Sequence, residues 1–122
     1  MPNPILYHNP RCSKSRQALA LLNEKNITFS TVEYLKGPLS EEDILDLYKS
    51  LIANKAVTKM HDMIRSKEPE YKLGGLSVSS SDEELVRALI NSPKLLERPI
   101  YKLNDLAAIG RPIENIEALL DD

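Results

Sequence analysis

One residue in this sequence has the type and the setting of a nucleophile. Cys12 is the only cysteine among the 122 residues. It follows a short apolar run, Pro4-Ile5-Leu6-Tyr7-His8, and a turn signal, Asn9-Pro10-Arg11, and it precedes a helical pattern that starts at Ser13. A thiol at a helix start faces free N–H groups and the positive end of the helix dipole, and both favour the thiolate. The same N–H groups bind anions. Arg11, Lys14 and Arg16 add positive charge nearby. One site can therefore hold a small oxyanion and attack it. The plainer alternative is a small buried hydrophobe, a common fate of a free cysteine.

The residue three positions on is Ser15, so the motif is C-x-x-S and not C-x-x-C. A hydroxyl can donate a hydrogen bond to a thiolate but cannot resolve a disulfide. A redox cycle at Cys12 must then be closed by a thiol from another molecule. His8 stands four residues before Cys12, across the turn, where it can support the loop or raise the local positive potential. His61 has no cysteine or acidic partner at metal-ligand spacing, so no metal is assigned.

These residues need elements to hold them. The pattern predicts a strand over Pro4 to His8, a helix from Ser13 with Ala18, Leu19, Leu21 and Leu22 on its apolar face, and a second strand over Ile27 to Tyr34. Such a βαβ unit makes the two strands parallel. Gly37-Pro38 breaks the chain. Ser40 and Asp43 are spaced like a capping box ahead of Ile44, Leu45, Leu47, Tyr48, Leu51 and Ile52. A shorter helix is expected near Lys59 to Arg65. Ser81 and Glu84 form a second capping pair before Leu85, Val86, Leu89 and Ile90. Residues 40–91 thus read as all-helical. Arg98 to Leu103 and Leu106 to Ile109 read as a hairpin around Asn104-Asp105, a tip without the expected glycine. Pro112 can open a last helix with Ile113, Ile116, Leu119 and Leu120 on one face. The order describes an α/β fold, a mixed sheet with helices on it. We expect one domain over 1–122, its core about 1–37 and 95–122, with a helical insertion at about 38–94.

Composition excludes several classes. Charged residues are 28% and apolar ones 42%, as in ordinary globular proteins. A net charge of -2 favours neither nucleic acid nor an anionic membrane as partner. No apolar run reaches the roughly 18 residues of a transmembrane helix, and Met1 to Tyr7 lacks the features of a secretory signal. A cytoplasmic monomer is the default expectation, and the lone thiol fits a reducing compartment.

The run His8-Asn9-Pro10-Arg11-Cys12-Ser13-Lys14-Ser15-Arg16 closely resembles the active-site signature of the glutaredoxin-linked arsenate reductase family. Three further segments are similar to family segments and fall in the family's order: Asp62-Met63-Ile64-Arg65 with Glu68-Pro69 and Tyr71, then Pro93 to Ile100, then Ala108-Ile109-Gly110-Arg111-Pro112. In length the chain looks like the shorter chromosomal-type members. The resemblance implies a thioredoxin-like fold with a helical insertion. It implies Cys12 as the nucleophile that forms a thiol-arsenate ester, and His8, Ser15 and Arg16 as supports of the thiolate. It implies Arg65, on a helix, with Arg98 and Arg111 as the binders of arsenate, and a cis-proline at Pro99. It also implies glutathione as co-substrate, glutaredoxin as partner and no bound cofactor. Guanidinium forks suit this task, because a thiolate attacking a tetrahedral dianion brings like charges together.

Two other readings stay open. One is a related thiol enzyme acting on another oxyanion or on mixed disulfides. The other is a non-enzymatic regulatory module of the same superfamily, since fold alone does not set function. Such regulators typically carry a C-x-x-C switch and lack the His8-Asn9-Pro10 loop and the arginine trio.

Overall fold

The computed structural model describes residues 4–37 and 39–120. Of the expected Gly37-Pro38 break, Pro38 lies outside the described residues, as do the outermost residues of the expected domain.

A four-stranded mixed sheet organises the chain. β1 (Ile5–Tyr7) pairs parallel with β2 (Ser30–Val32) on one side and antiparallel with β3 (Ile100–Leu103) on the other. β3 pairs antiparallel with β4 (Leu106–Ile109), giving the order β2-β1-β3-β4. α1 (Ser13–Glu24) is the crossover between the parallel strands, as the βαβ reading requires.

Strand alternation sorts the side chains into two cores. Leu6, Tyr101 and Ala108 stand in register and pack with Ala18 and Leu22 of α1 and with Ile116 and Leu119 of α5 (Glu114–Leu120). Tyr7, Ile100 and Ala107 face the other way. They pack with α2 (Glu41–Ala53) through Ile44, Leu47 and Leu51, and with α4 (Asp82–Asn91) through Leu85, Val86 and Leu89. α3 (Pro69–Leu73) is short and buries no residue. Both capping boxes form, with the Ser40 hydroxyl accepting from the Asp43 N–H and the Ser81 hydroxyl from the Glu84 N–H.

The hairpin tip needs no glycine. Leu103 pairs with Leu106, so Asn104-Asp105 is a two-residue loop, and Asn104 takes a φ of 57°. Asparagine visits that left-handed region more readily than most residues.

Three expectations need correction. The second strand spans only Ser30–Val32, and Ile27 and Phe29 instead pack into the α1–α5 core while Tyr34 is buried beyond the strand. The helix expected near Lys59 to Arg65 is a 3-10 turn, Met60–Met63. After it the chain extends. Ile64 forms an antiparallel bridge with Leu96, Arg65 N–H donates to the Leu95 carbonyl at 2.7 Å, and Glu97 N–H donates to the Met63 carbonyl at 2.8 Å. The stretch between β2 and β3 is therefore not wholly helical, and Arg65 does not sit on a helix. Last, β3 starts at Ile100 and not at Arg98.

The Arg98–Pro99 and Arg111–Pro112 peptides are both cis. Gly110 joins these two corners, its N–H donating to the Pro99 carbonyl at 2.8 Å. A Cβ at Gly110 would stand 2.6 Å from Ile116 Cδ1 and 2.9 Å from Pro99 Cγ. Ile116 is wholly buried and the proline ring is stiff, so neither yields cheaply. Gly110→Ala is expected to cost about 1–3 kcal/mol of stability. Urea unfolding would show this as a lower midpoint at unchanged slope.

Candidate active site

Cys12 is the N-cap of α1, with extended backbone (φ −95°, ψ 123°) and no capping hydrogen bond from its own side chain. Its carbonyl accepts the first helical bond, from Arg16 N–H at 3.0 Å, and its N–H donates to the Asn9 carbonyl at 3.0 Å. The thiol is left half-exposed over the helix start.

The loop before it is closed from beneath. Ser15 and His8 are buried, and His8 Nδ1 meets Ser15 Oγ at 2.6 Å. The Asn9 N–H donates to the same oxygen at 3.0 Å. The arrangement that uses each group has Ser15 Oγ–H donating to a neutral His8 whose proton sits on Nε2. Burial agrees, holding the His8 imidazole below its ordinary value; Glu33 pulls it up and Arg16 pushes it down. Asn9 Oδ1 accepts from Arg11 N–H at 3.0 Å, and Arg16 Nη1 donates to the Pro10 carbonyl at 2.9 Å.

For Ser15 the geometry differs from the sequence-based expectation, whereas His8 supports the loop, one of the two roles open to it. The Ser15 hydroxyl bonds to His8 and Asn9, and what Ser15 offers the thiolate is its backbone N–H. His8 and Arg16 hold the loop. Asn9 escapes a reading of the sequence, because a turn asparagine is ordinary by composition.

The arginines come from three distant segments. Arg111 Nη2 donates to Cys12 Sγ at 3.3 Å, while its Nε donates to the Arg98 carbonyl at 2.6 Å. Arg98 Nη1 donates to the Lys94 carbonyl at 3.1 Å. Glu68 Oε1 stands 3.3 Å from Arg65 Nε and 3.7 Å from Arg98 Nη2, so one carboxylate lies between two guanidiniums. Glu97 reaches Arg65 at 4.0 Å. The structure therefore brings Arg65, Arg98 and Arg111 to the Cys12 end of α1. A cleft lined by Ile64, Arg65, Ser66, Lys67, Glu97 and Arg111 opens beside them. Sequence alone does not single out the two acids in the cluster, since each looks like an ordinary surface charge.

Burial pushes the Cys12 thiol up, but the Ser15 N–H, the Arg98 guanidinium, the Lys14 N–H and the charge of Arg111 outweigh it, and the net shift is downward. Burial likewise pushes the Glu97 carboxyl up, against the pull of Arg65, Arg111 and Arg98. A lowered thiol ringed by donor forks is suited to hold a tetrahedral anion and attack its centre.

His61 has no part in this. Its Nε2 meets Tyr71 Oη at 2.7 Å, and the two rings stack edge to face. Among the described residues no three His, Cys, Asp or Glu side chains gather as a metal site, and no helix is long and apolar enough to cross a membrane.

The chain has relatives among known proteins. Residues 7–119 match the model of the ArsC family. The chain is 44% identical to the arsenate reductase of Neisseria meningitidis serogroup A over 121 residues, which is 98% of this chain and 100% of that protein. It is 45% identical over 112 residues to the uncharacterized protein YfgD of Escherichia coli, covering 91% of each. The solved structure of an arsenate reductase from Vibrio cholerae superposes with a TM-score of 0.86 at 38% identity, covering 94% of this chain and 96% of that one.

Alkylation of Cys12 with iodoacetamide should follow a titration centred below the usual thiol range. Arg111→Leu removes a hydrogen bond and a charge from the thiolate. The midpoint should therefore move up, and alkylation at neutral pH should slow by about a factor of ten as the thiolate fraction falls. An unchanged profile would mean that Arg111 does not hold the thiolate.

Proposed function

The chain belongs to the ArsC family, with the thioredoxin-like fold of its structural neighbours, and on that premise we propose that it reduces arsenate to arsenite with external thiols as reductant. The observation that carries this reading is the Arg111–Cys12 contact at 3.3 Å beside Arg65 and Arg98, which supplies a nucleophile and a binder of tetrahedral anions in one place.

Arsenate seats against the guanidiniums of Arg65, Arg98 and Arg111, which offset its charge and the approach of the thiolate. Cys12 Sγ attacks arsenic, an S–As bond forms, and an arsenate oxygen leaves as water after protonation. A glutathione thiolate then attacks Cys12 Sγ. The S–As electron pair stays with arsenic, which departs as arsenite, and a Cys12–glutathione mixed disulfide remains. Two electrons reach arsenic, one from each sulfur. Glutaredoxin attacks the glutathione sulfur and releases the Cys12 thiolate. With one cysteine in the chain, no internal thiol can take the place of these reductants. The reducing cytoplasm suits such a cycle, and nothing in it calls for a bound cofactor.

The test is NADPH consumption by the purified protein with arsenate, glutathione, glutaredoxin and glutathione reductase, beside Cys12→Ser. Arsenate-dependent turnover is expected in the wild type and none above background in the variant. If the wild type does not turn over although Cys12 alkylates rapidly, the arsenate reading falls, and a thiol enzyme for another oxyanion or for mixed disulfides replaces it.

A further inference from the structure

Tyr34 lies just past β2, outside the Cys12 loop and the three arginine segments. It is 1% exposed, and its hydroxyl is buried with no protein acceptor for its proton among the described residues, while the Arg98 guanidinium faces the same oxygen as a donor. An orphaned buried hydroxyl is unusual, because nothing replaces its lost hydration. Its neighbours explain the position. The Arg98 guanidinium, Cys12 and Arg65 all lie within electrostatic reach of it. Arg98 Nε is likewise buried without a hydrogen-bond acceptor, whereas Arg65 Nε faces Glu68 Oε1 at 3.3 Å. Two donors from different parts of the chain, the Tyr34 hydroxyl and Arg98 Nε, are thus buried near Cys12 with no protein acceptor to satisfy them.

We propose that the Tyr34 hydroxyl is a further donor to the bound tetrahedral anion, acting together with the guanidiniums of Arg65 and Arg98. The assignment rests on the reading that this cluster holds an oxyanion. Tyr34 brings something the arginines lack. Its ring is fixed in the core with Ile44, Leu89 and Leu96, so the position of its oxygen is set before the anion arrives. Burial pushes the phenol up to about 12, against the pull of Arg98 and Arg65, so the proton stays in place at any working pH. A neutral donor adds a hydrogen bond without adding charge.

Tyr34→Phe keeps the ring and removes only the hydroxyl. The readout is protection of Cys12 from iodoacetamide by inorganic phosphate and by arsenate. The concentration giving half-protection should rise about tenfold in the variant. Alkylation without anion should stay within about twofold of wild type, since the hydroxyl serves the anion and not the thiolate. KM for arsenate should rise in parallel. Unchanged half-protection with a higher melting temperature would overturn the proposal and show the hydroxyl to be an unrelieved burial cost. No protection of the wild type by either anion would also overturn it. If phosphate protects but arsenate is not turned over, the proposed activity falls while the comparison of Tyr34→Phe with wild type still decides the role of Tyr34.

Discussion

The Ser15 hydroxyl accepts the Asn9 N–H and meets His8 Nδ1 beneath the loop, out of reach of solvent. This contact joins the end of β1 to the first turn of α1. Without it the Asn9-Pro10-Arg11 turn would rest on the Cys12 N–H bond to the Asn9 carbonyl, the Asn9 side chain on Arg11 N–H and Arg16 on the Pro10 carbonyl. A cysteine at that position would be a weaker hydrogen-bond partner for both His8 and the Asn9 N–H. The C-x-x-S spacing thus has a structural meaning apart from redox chemistry: it assigns the fourth position to the loop.

Above that foundation the site is an electrostatic balance. Partial burial disfavours the thiolate, and helix N–H groups and guanidiniums favour it. The guanidiniums must also be kept from repelling one another. Glu68 stands between Arg65 and Arg98, and Glu97 beside Arg65, so the cluster carries its own counter-charge. Any anion entering the cluster would compete with these carboxylates for the guanidinium forks.

Much of this architecture is legible in local patterns. The β1–turn–α1 unit, both capping boxes, the hairpin and the last helix follow from apolar spacing and turn residues within a few positions. The departures share a cause. Ile64 and Arg65 have sequence neighbours that suit a helix, yet Arg65 N–H donates to the Leu95 carbonyl and Ile64 stands opposite Leu96 in a bridge, some thirty residues on. The second strand stops at Val32, and its aromatic end is buried as Tyr34 beside the site instead of in the sheet. Cys12 stands out through its place at a helix start. The three arginines stand out only by resemblance, since nothing local tells a converging arginine from a solvated one. The direction of the Ser15 hydroxyl is hidden for the same reason, as residue type does not say which neighbour a side chain faces.

The contact between Arg111 and Cys12 spans 99 positions of sequence. A ribosome makes the cysteine long before it makes Arg98 or Arg111. Until those residues emerge and dock, the thiol has only what the first helix turn can lend it, and an unfinished helix lends little. Through most of synthesis the nascent chain therefore lacks two of the groups that lower its thiol. Arg98 and Arg111 take their places beside it only once the last strand pair is complete, so the full site and the completed fold arrive together.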